Sequence, residues 1–369
     1  MPTAIESMDL SRRQALQILA TWGLATKVGA VESTPSARLL AAWQAQAEYR
    51  IGILEFDTRG WSVAQSLETP TRPHGLLIES SGSVVAVARR PGDWIVRWNS
   101  TTHATQWHWI EDDCRFNGHI LASQDGQCLW STETDQESQR GLLGVRNAKT
   151  LEKINEFDTQ GLDPHQLLAL PVTVGRYRAG TLMVANGGIR TLAESGRTKQ
   201  TQFPVDASLV ALSPLDGEIL GQWRLSDRWL SIRHLAWNPS SQRLGIALQA
   251  EHPGVDNRHT APVLAVWDGV ALRTARNQPP VMGYGGDIIA LAGAGFAVSC
   301  TKAGVVAVYS VDGCWIKNIV HPGAGALAQS GAQWLAAGQS GILQDTMLLQ
   351  ADAHVSATHH QWDNHWQSI

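Results

Sequence analysis

The chain has 369 residues, of which 43% are hydrophobic and 17% are charged, and its formal net charge is -4 at pH 7. This composition is typical of a globular protein with a large core, and the lack of a basic excess argues against a nucleic-acid partner. Beyond the N-terminal segment no apolar run approaches the length of a membrane span, so we expect no membrane span in the mature chain.

The N-terminal residues 1–33 resemble a twin-arginine export signal. Arg12 and Arg13 precede a mildly apolar stretch at residues 18–25, which Lys27 and a run of small residues follow. An amphipathic N-terminal helix with an incidental arginine pair is the alternative. The export interpretation predicts that residues 34–369 are translocated already folded and that the mature protein is periplasmic.

The rest of the chain repeats a unit of short apolar segments separated by turns, and five copies of the unit open with a histidine. Small, apolar and β-branched residues dominate the segments, and helical periodicity is weak. The first strands are predicted to start at residues 74, 119, 165, 234, 287, 326 and 365. This spacing is typical of four-stranded propeller blades, so the sequence predicts an all-β, seven-bladed β-propeller.

The two ends of the chain indicate how the ring of blades closes. Residues 39–44 resemble the second strand of a blade, so the N-terminal blade lacks its innermost strand. Residues 365–369 at the C-terminus can supply it. We therefore expect the C-terminal strand to join the N-terminal blade, which removes an open sheet edge.

One mouth of the central channel is predicted to gather polar side chains. The start of the first strand and the end of the second strand of each blade lie on the same face, so these side chains should converge on one site. The expected ligand-binding residues are His74, Arg89, Arg90, His119, Glu133, His165, Asn186, His234, Gln249, Asp287 and His365.

The five recurring histidines are the expected metal ligands, because imidazole suits Fe, Cu and Zn. These are His74, His119, His165, His234 and His365. Since the mouth of a propeller channel is wide, we expect three neighbouring blades, such as those of His365, His74 and His119, to bind one ion. Histidines that only satisfy backbone groups and ordered water are the alternative.

Seven short motifs resemble one known family. In chain order they are Ala-Arg89-Arg90-Pro-Gly, Asn-Gly-His119, Ser-Thr-Glu133-Thr-Asp135, Asp-Pro-His165, Ala-Asn186-Gly187-Gly188-Ile-Arg-Thr, Ser-Ile-Arg233-His234-Leu-Ala and Trp362-Asp363-Asn364-His365. In this combination the chain resembles the exported bacterial propellers named domain of unknown function 1513. The resemblance implies a periplasmic location and partners among imelysin-like or di-haem proteins, in gene clusters linked to iron acquisition. It implies no reaction, and Glu133 precedes Thr where the family has Asn.

Three functions are compatible with these features. We favour a monomeric binding or accessory protein that holds a metal ion or a small metal-containing ligand, because no trio of nucleophile, base and orienting residue is recognisable. The second is a metal-dependent hydrolase or lactonase, or an oxidoreductase. Its catalytic residues would be His165, His234, Glu133 and Arg90. The third is a protein-interaction scaffold with an incidental wet channel.

Overall fold

The described part of the protein is built almost entirely of antiparallel strands. The computed structural model describes residues 37–57, 60–111, 113–191, 198–199, 203–291, 293, 295–331, 333–339, 341–345, 354–356 and 360–369. Within these ranges the strands form seven sheets, which confirms the predicted propeller. The predicted export signal at residues 1–33 lies outside them. In the described ranges no helix is both long and apolar enough to cross a membrane.

Each sheet forms one blade of the ring, and the blades follow one another along the chain. Blade 1 contains β1 (Ala37–Ala45), β2 (Glu48–Asp57) and β3 (Gly60–Thr69); blade 2 contains β4 (Pro73–Ile78), β5 (Val84–Ala88), β6 (Trp94–Trp98) and β7 (Thr105–Trp109); blade 3 contains β8 (Cys114–Ala122), β9 (Cys128–Asp135), β10 (Gly141–Asn147) and β11 (Lys153–Asp158); blade 4 contains β12 (Pro164–Ala169), β13 (Leu182–Asn186), β14 (Ser208–Leu212) and β15 (Ile219–Trp223).

The remaining blades keep the same plan. Blade 5 contains β16 (Leu230–Asn238), β17 (Arg243–Ala250), the short helix α1 (Val255–Thr260), β18 (Leu264–Trp267) and β19 (Leu272–Thr274); blade 6 contains β20 (Ile288–Leu291), β21 (Gly295–Cys300), β22 (Val305–Tyr309) and β23 (Trp315–Val320); blade 7 contains β24 (Leu327–Ser330), β25 (Gln333–Gly338), β26 (Gly341–Asp345) and β27 (His354–Ser356). Two final segments, β28 (Gln361–Trp362) and β29 (Gln367–Ser368), return to blade 1.

The hydrophobic core lies between neighbouring sheets, and this placement explains the composition of the strands. The inner strands are apolar on both faces because each face packs against another blade: all five residues of β5 are buried. The residues of outer strands such as β7 are only partly buried or exposed. Trp94, Trp98 and Trp267 are among the largest fully buried side chains. Burial of a large apolar side chain stabilises a fold by about 1.5–3 kcal/mol.

The ring closes as the sequence predicts. Both C-terminal segments pair antiparallel with β1, where Trp43 lies opposite Trp362 and Leu40 opposite Gln367. Trp366 is buried in the cluster of apolar side chains that joins blades 1 and 7. The C-terminal segment therefore completes the blade that begins the propeller.

Candidate metal centre

The histidines of blades 2 to 5 each lie at a break in the register of an innermost strand. The ladder with the second strand is interrupted between Pro73 and Leu76, between Phe116 and Ile120, between Pro164 and Leu167, and between Ile232 and Leu235. Such bulges place extra residues on one strand and redirect side chains. His74, His119, His165 and His234 all fall within these interruptions.

Two of these histidines lie inside their strands and not at the strand start, where the sequence places them. The sequence places His119 and His234 at the beginning of first strands, but β8 begins at Cys114 and β16 at Leu230. The residues before the bulge pair with the second strand, so the strand extends on both sides of the histidine. The recurring histidine therefore marks the position of the bulge and not the start of the strand.

Two glycines allow the innermost strands of blades 2 and 3 to approach closely. Gly118 has a φ of +103°, and a Cβ atom there would lie 2.8 Å from Cδ2 of His74. A Cβ atom on Gly75 would collide with the carbonyl oxygen of Gly118. Glycine is needed where the backbone is left-handed and where two chains meet this closely. Its presence lets the imidazoles of His74 and His119 pack together.

The five imidazoles form one cluster across the channel. Ring centroids lie between 4.2 Å apart, for His234 and His365, and 6.1 Å apart, for His74 and His234. The Nε2 atom of His234 lies 2.7 Å from Nε2 of His165 and 3.0 Å from Nε2 of His365. The channel is therefore narrow here, although none of the groups of possible ligands among the described residues contains all five histidines.

The closest groups of ligand atoms differ from the predicted trio of His365, His74 and His119. One group combines four nitrogens that lie within 4.8 Å of one another, and another combines two histidines with a carboxylate. Their members are His74, His119, His165 and His234 in the first group, and His234, Asp287 and His365 in the second. Both are buried, and either arrangement could hold a metal ion.

Asp287 orients the imidazole of His365. Its Oδ1 atom lies 3.0 Å from Nδ1 of His365 and 2.9 Å from the amide nitrogen of Ile288. Its Oδ2 atom accepts a hydrogen bond of 2.9 Å from the amide of Leu327. A carboxylate that accepts the Nδ1 proton fixes the tautomer, so Nε2 of His365 keeps its lone pair for the centre of the cluster.

Asp363 plays the same part for His74. Its Oδ1 atom lies 3.4 Å from Nδ1 of His74 and accepts a 2.8 Å hydrogen bond from the amide of Asn364. The guanidinium of Arg72 pairs with Oδ2. Although burial raises the pKa of Asp363, hydrogen bonds and charge from His74 and Arg72 hold it below the usual range. The carboxylate is therefore ionised and available to orient the ring.

Burial keeps four of the imidazoles neutral. It lowers the pKa of His74 to about 4, against the opposing hydrogen bond with Asp363. Burial also lowers the pKa of His119, His165 and His234 well below 6.5, and the positive charge of Arg233 lowers these pKa values further. Metal ligation requires the unprotonated ring, so the cluster is ready to bind a metal at neutral pH.

Several ring nitrogens lack a hydrogen-bond partner among the described residues. These atoms are Nε2 of His74 and His119 and Nδ1 of His165 and His234. A buried polar atom left without a partner costs about 1–3 kcal/mol. His74 and His119 belong to the group of four buried histidines whose ligand nitrogens lie within 4.8 Å of one another, where a metal ion could act as a partner.

The other predicted site residues divide into two sets. Arg89, Arg90 and Gln249 line a cavity of about 220 Å³ that also touches the rings of His74, His165 and His234. Glu133 and Asn186 are not among the described residues of its lining. The structure thus brings three of these five residues to the cluster.

Glu133 and Asn186 are occupied elsewhere. Glu133 accepts hydrogen bonds of 2.6 Å from both Arg146 and Ser131, and it pairs with Lys153 at 3.3 Å. The Asn186 amide donates to the carbonyl of Thr159 at 2.8 Å. The expected role of Glu133 as a carboxylate at the metal centre therefore belongs to Asp287 and Asp363.

Four further residues at the site were missed by sequence reasoning: Arg72, Asp163, Arg233 and Asp363. A signal was present, because Arg72, Asp163 and Asp363 each stand two residues before a clustered histidine. Arg233 directly precedes His234. A charged residue two positions before three of the five histidines would have identified Arg72, Asp163 and Asp363.

The architecture and the cluster define a class of protein: a seven-bladed β-propeller with a buried histidine cluster that could hold a metal ion. Its family follows from the sequence. The family described as "Protein of unknown function (DUF1513)" matches residues 67–369, and the chain belongs to it. None of the curated proteins matches the sequence.

Solved structures share the propeller fold at low sequence identity. Virginiamycin B lyase from Staphylococcus aureus is 13% identical, with 77% of this chain and 84% of that chain covered and a TM-score of 0.54. A catalytically inactive variant of that lyase with quinupristin is 12% identical, with coverages of 81% and 92% and a TM-score of 0.53. Sqt1 from Saccharomyces cerevisiae is 14% identical, with coverages of 78% and 76% and a TM-score of 0.50. At these identities the likeness concerns the fold alone.

Proposed function

We propose that this protein binds one transition metal ion in the histidine cluster and serves as a periplasmic accessory protein in the acquisition of iron or another metal. The observation that carries the proposal is the pair of buried, unpartnered Nε2 atoms of His74 and His119. His74 and His119 also belong, with His165 and His234, to a group of four histidines whose ligand nitrogens lie within 4.8 Å of one another. Neutral imidazoles with inward lone pairs are suited to a metal.

The cluster needs only small movements to close on an ion. Four nitrogens bound tetrahedrally at about 2.0–2.1 Å stand about 3.3 Å from one another. The Nε2 contacts of His234 are 2.7 and 3.0 Å, and the widest separation in the group of four is within 4.8 Å. Ring rotations that move nitrogens by about 1 Å would therefore suffice. Fe, Cu and Zn all accept imidazole ligands, and Cu(II) is expected to bind most tightly in vitro.

The cellular role rests on the sequence. The arginine pair Arg12 and Arg13 supports export by the twin-arginine route, which carries folded proteins and would deliver the propeller to the periplasm with its metal in place. The family resemblance supports imelysin-like or di-haem proteins as partners. We propose that the propeller holds the metal for, or passes it to, such a partner.

A metal-dependent enzyme is the second candidate, and the cavity beside the cluster favours it. Catalytic metal sites keep an open position for substrate, and the cavity reaches His74, His165 and His234. In that case His165 or His234 would serve as a base, and Arg90 would hold an anionic group. Hydrolysis of ester and lactone probes by the metal-loaded protein, abolished by metal removal, would favour this candidate over a binding role.

Elemental analysis tests the main proposal. The mature protein, purified from the periplasm without an affinity tag or chelator, should contain close to one Fe, Cu or Zn per chain. A triple variant in which His74, His119 and His365 are each replaced by glutamine should lose the bound metal, while its circular dichroism spectrum stays unchanged. His103→Asn, at an exposed position, is the matched control. Metal-free protein that takes up none of the three metals, or unchanged content in the triple variant, would disprove the proposal.

A further inference from the structure

The cavity beside the histidine cluster has a cationic lining. Its charged members are Arg89, Arg90, Lys199 and Arg233, and its uncharged polar members outside the cluster are Asn117, Gln249, Tyr284 and Asn364. No aspartate or glutamate is among the described lining residues. A concave surface with several guanidinium groups and no carboxylate is suited to an anion.

A single buried carboxylate positions two of the arginines. Oδ2 of Asp163 accepts a hydrogen bond of 2.6 Å from Nη1 of Arg233, and Oδ1 pairs with Nη1 of Arg90. The backbone of Gly187 packs closely against this ion pair. A Cβ atom at Gly187 would lie 2.5 Å from Nη1 of Arg233 and 2.7 Å from Oδ2 of Asp163. One negative charge thus holds two positive charges at fixed positions.

One donor nitrogen of Arg233 has no hydrogen-bond acceptor among the described residues. Its side chain is only 9% exposed, and its Nε atom is buried with no partner among the described residues. Arg233 also directly precedes His234, one of the clustered imidazoles. A buried guanidinium nitrogen without an acceptor is costly. Arg233 also lines the cavity, where its guanidinium group can donate hydrogen bonds to an oxyanion.

The charged side chains around the site include four arginines and three carboxylates among the described residues. The arginines are Arg72, Arg89, Arg90 and Arg233, and the carboxylates are Asp163, Asp287 and Asp363. Lys199 adds nothing net, since it pairs with Glu251 at 2.5 Å. A divalent metal would add two more positive charges. Uncompensated charge in a buried site is unfavourable, so a bound metal calls for an accompanying anion.

We infer that the cavity binds a small oxyanion, a carboxylate or a phosphate, between Arg89, Arg90 and Arg233 and next to the metal. This inference rests on the proposed function for the metal that the anion would neighbour. The volume of about 220 Å³ equals about seven water molecules at about 30 Å³ each and is smaller than the usual drug-sized pocket. It suits phosphate or a small dicarboxylate.

Calorimetric titration of the mature protein with malonate, phosphate and chloride at matched ionic strength tests the inference. Malonate or phosphate should bind at least tenfold more tightly than chloride, and the two arms separate a carboxylate ligand from a phosphate ligand. Loading with metal should tighten oxyanion binding further, and by reciprocity the oxyanion should tighten metal binding by the same factor.

Two variants and one control locate the binding site. Arg233→Gln and Arg89→Gln should each weaken oxyanion binding at least tenfold, and Arg89→Gln keeps the test valid if loss of the Asp163 contact impairs folding of the other variant. Arg140→Gln is the control, because Arg140 is 54% exposed and pairs with Asp158 on the outside of blade 3. It should bind oxyanions as the wild type does.

The outcomes separate this inference from the proposed function. If metal binds but neither oxyanion binds better than chloride, or if both arginine variants bind like the wild type, the inference is wrong and the proposed function stands. If an oxyanion binds and no metal does, the arginine site stands and the proposed metal function is wrong.

Discussion

Asp287 and Asp363 each hold one imidazole of the cluster by its Nδ1 atom, but their own supports differ. Asp287 is fixed by two backbone amides, those of Ile288 and Leu327. Asp363 relies on the amide of Asn364 and on the partly exposed guanidinium of Arg72. Both carboxylates set which ring nitrogen faces the centre, so both would control the affinity of the proposed metal site without having to touch the ion.

Replacing either carboxylate should weaken metal binding and leave the fold intact. Asp287→Asn and Asp363→Asn keep the side-chain volume but can present an amide donor to Nδ1, which favours the wrong tautomer of His365 or His74. Loss of such a supporting carboxylate typically lowers metal affinity about 10–100-fold. Competition with a chromophoric chelator measures the change.

The control for this experiment is Asp158→Asn, which removes the surface charge pair with Arg140. Asparagine keeps an oxygen that can accept the 2.6 Å hydrogen bond from the amide of Gln160. Such surface pairs contribute little to stability, so metal affinity should equal that of the wild type. Wild-type affinity in both Asp287→Asn and Asp363→Asn would show that the carboxylates do not orient the metal ligands.

At the scale of the strand, the register break is the element that creates the cluster. In β4, β8, β12 and β16 the innermost strand carries more residues than its partner at the level of the histidine. The closing segment has a similar interruption between β28 and β29, and His365 there has a positive φ of 75°. Irregular backbone at a functional site must be supported by the surrounding sheet.

Gly118 tests the role of the bulge. Gly118→Ala should lower the free energy of unfolding by about 1–3 kcal/mol, because alanine is strained at its φ of +103° and its Cβ would press on the His74 ring. The displaced ring should also lower metal affinity. Chemical denaturation and chelator competition measure the two effects.

The matched control is Gly126→Ala in an exposed turn, where φ is +67° and no atom lies within 4 Å of the added Cβ. This variant also places an alanine at a positive φ, which lowers the free energy of unfolding, but it does not alter the histidine cluster. Metal affinity should therefore fall in Gly118→Ala alone. An equal affinity in the two variants would contradict a role for the bulge in placing His74.

Sequence periodicity predicts the blades well because each strand and turn is a local feature with its own residue preferences. The five clustered histidines are also predictable, since they recur at one position of the repeat. The partners of Glu133 are not, because Arg146 and Lys153 belong to β10 and β11, and counting along β9 does not show which face these strands share with it. The spacing of Asp363 marks it as a neighbour of His365 in sequence, but it contacts His74, which the sequence does not reveal.

At the scale of the whole molecule, ring closure and the candidate metal centre share one segment. Residues 361–369 supply β28 and β29 to blade 1, and between them lie Asp363, which holds His74, and His365, which meets His234. Trp366 packs in the seam between blades 1 and 7. A metal bound by the group of His234, Asp287 and His365 would therefore connect the closing segment to blade 5 and to the residue that precedes β20 of blade 6 through coordination bonds.

Metal binding should accordingly protect the seam of the ring from opening. A ligand that binds only the folded state at 100 times its Kd stabilises it by about 2.7 kcal/mol, and opening the seam would release His365 from the ion. We expect metal to slow hydrogen exchange in β1, β28 and β29, which open locally when the closing segment detaches. Exchange in the outer strand β11 of blade 3 should change much less.

The variant His365→Asn tests this link. Asparagine tolerates the positive φ at this position, and the substitution removes the bond between the ion and the closing segment. In that variant the four remaining histidines should still bind metal, while the added protection of β1 disappears. If metal slows exchange in β1 equally in His365→Asn and in the wild type, the metal does not act through the closing segment.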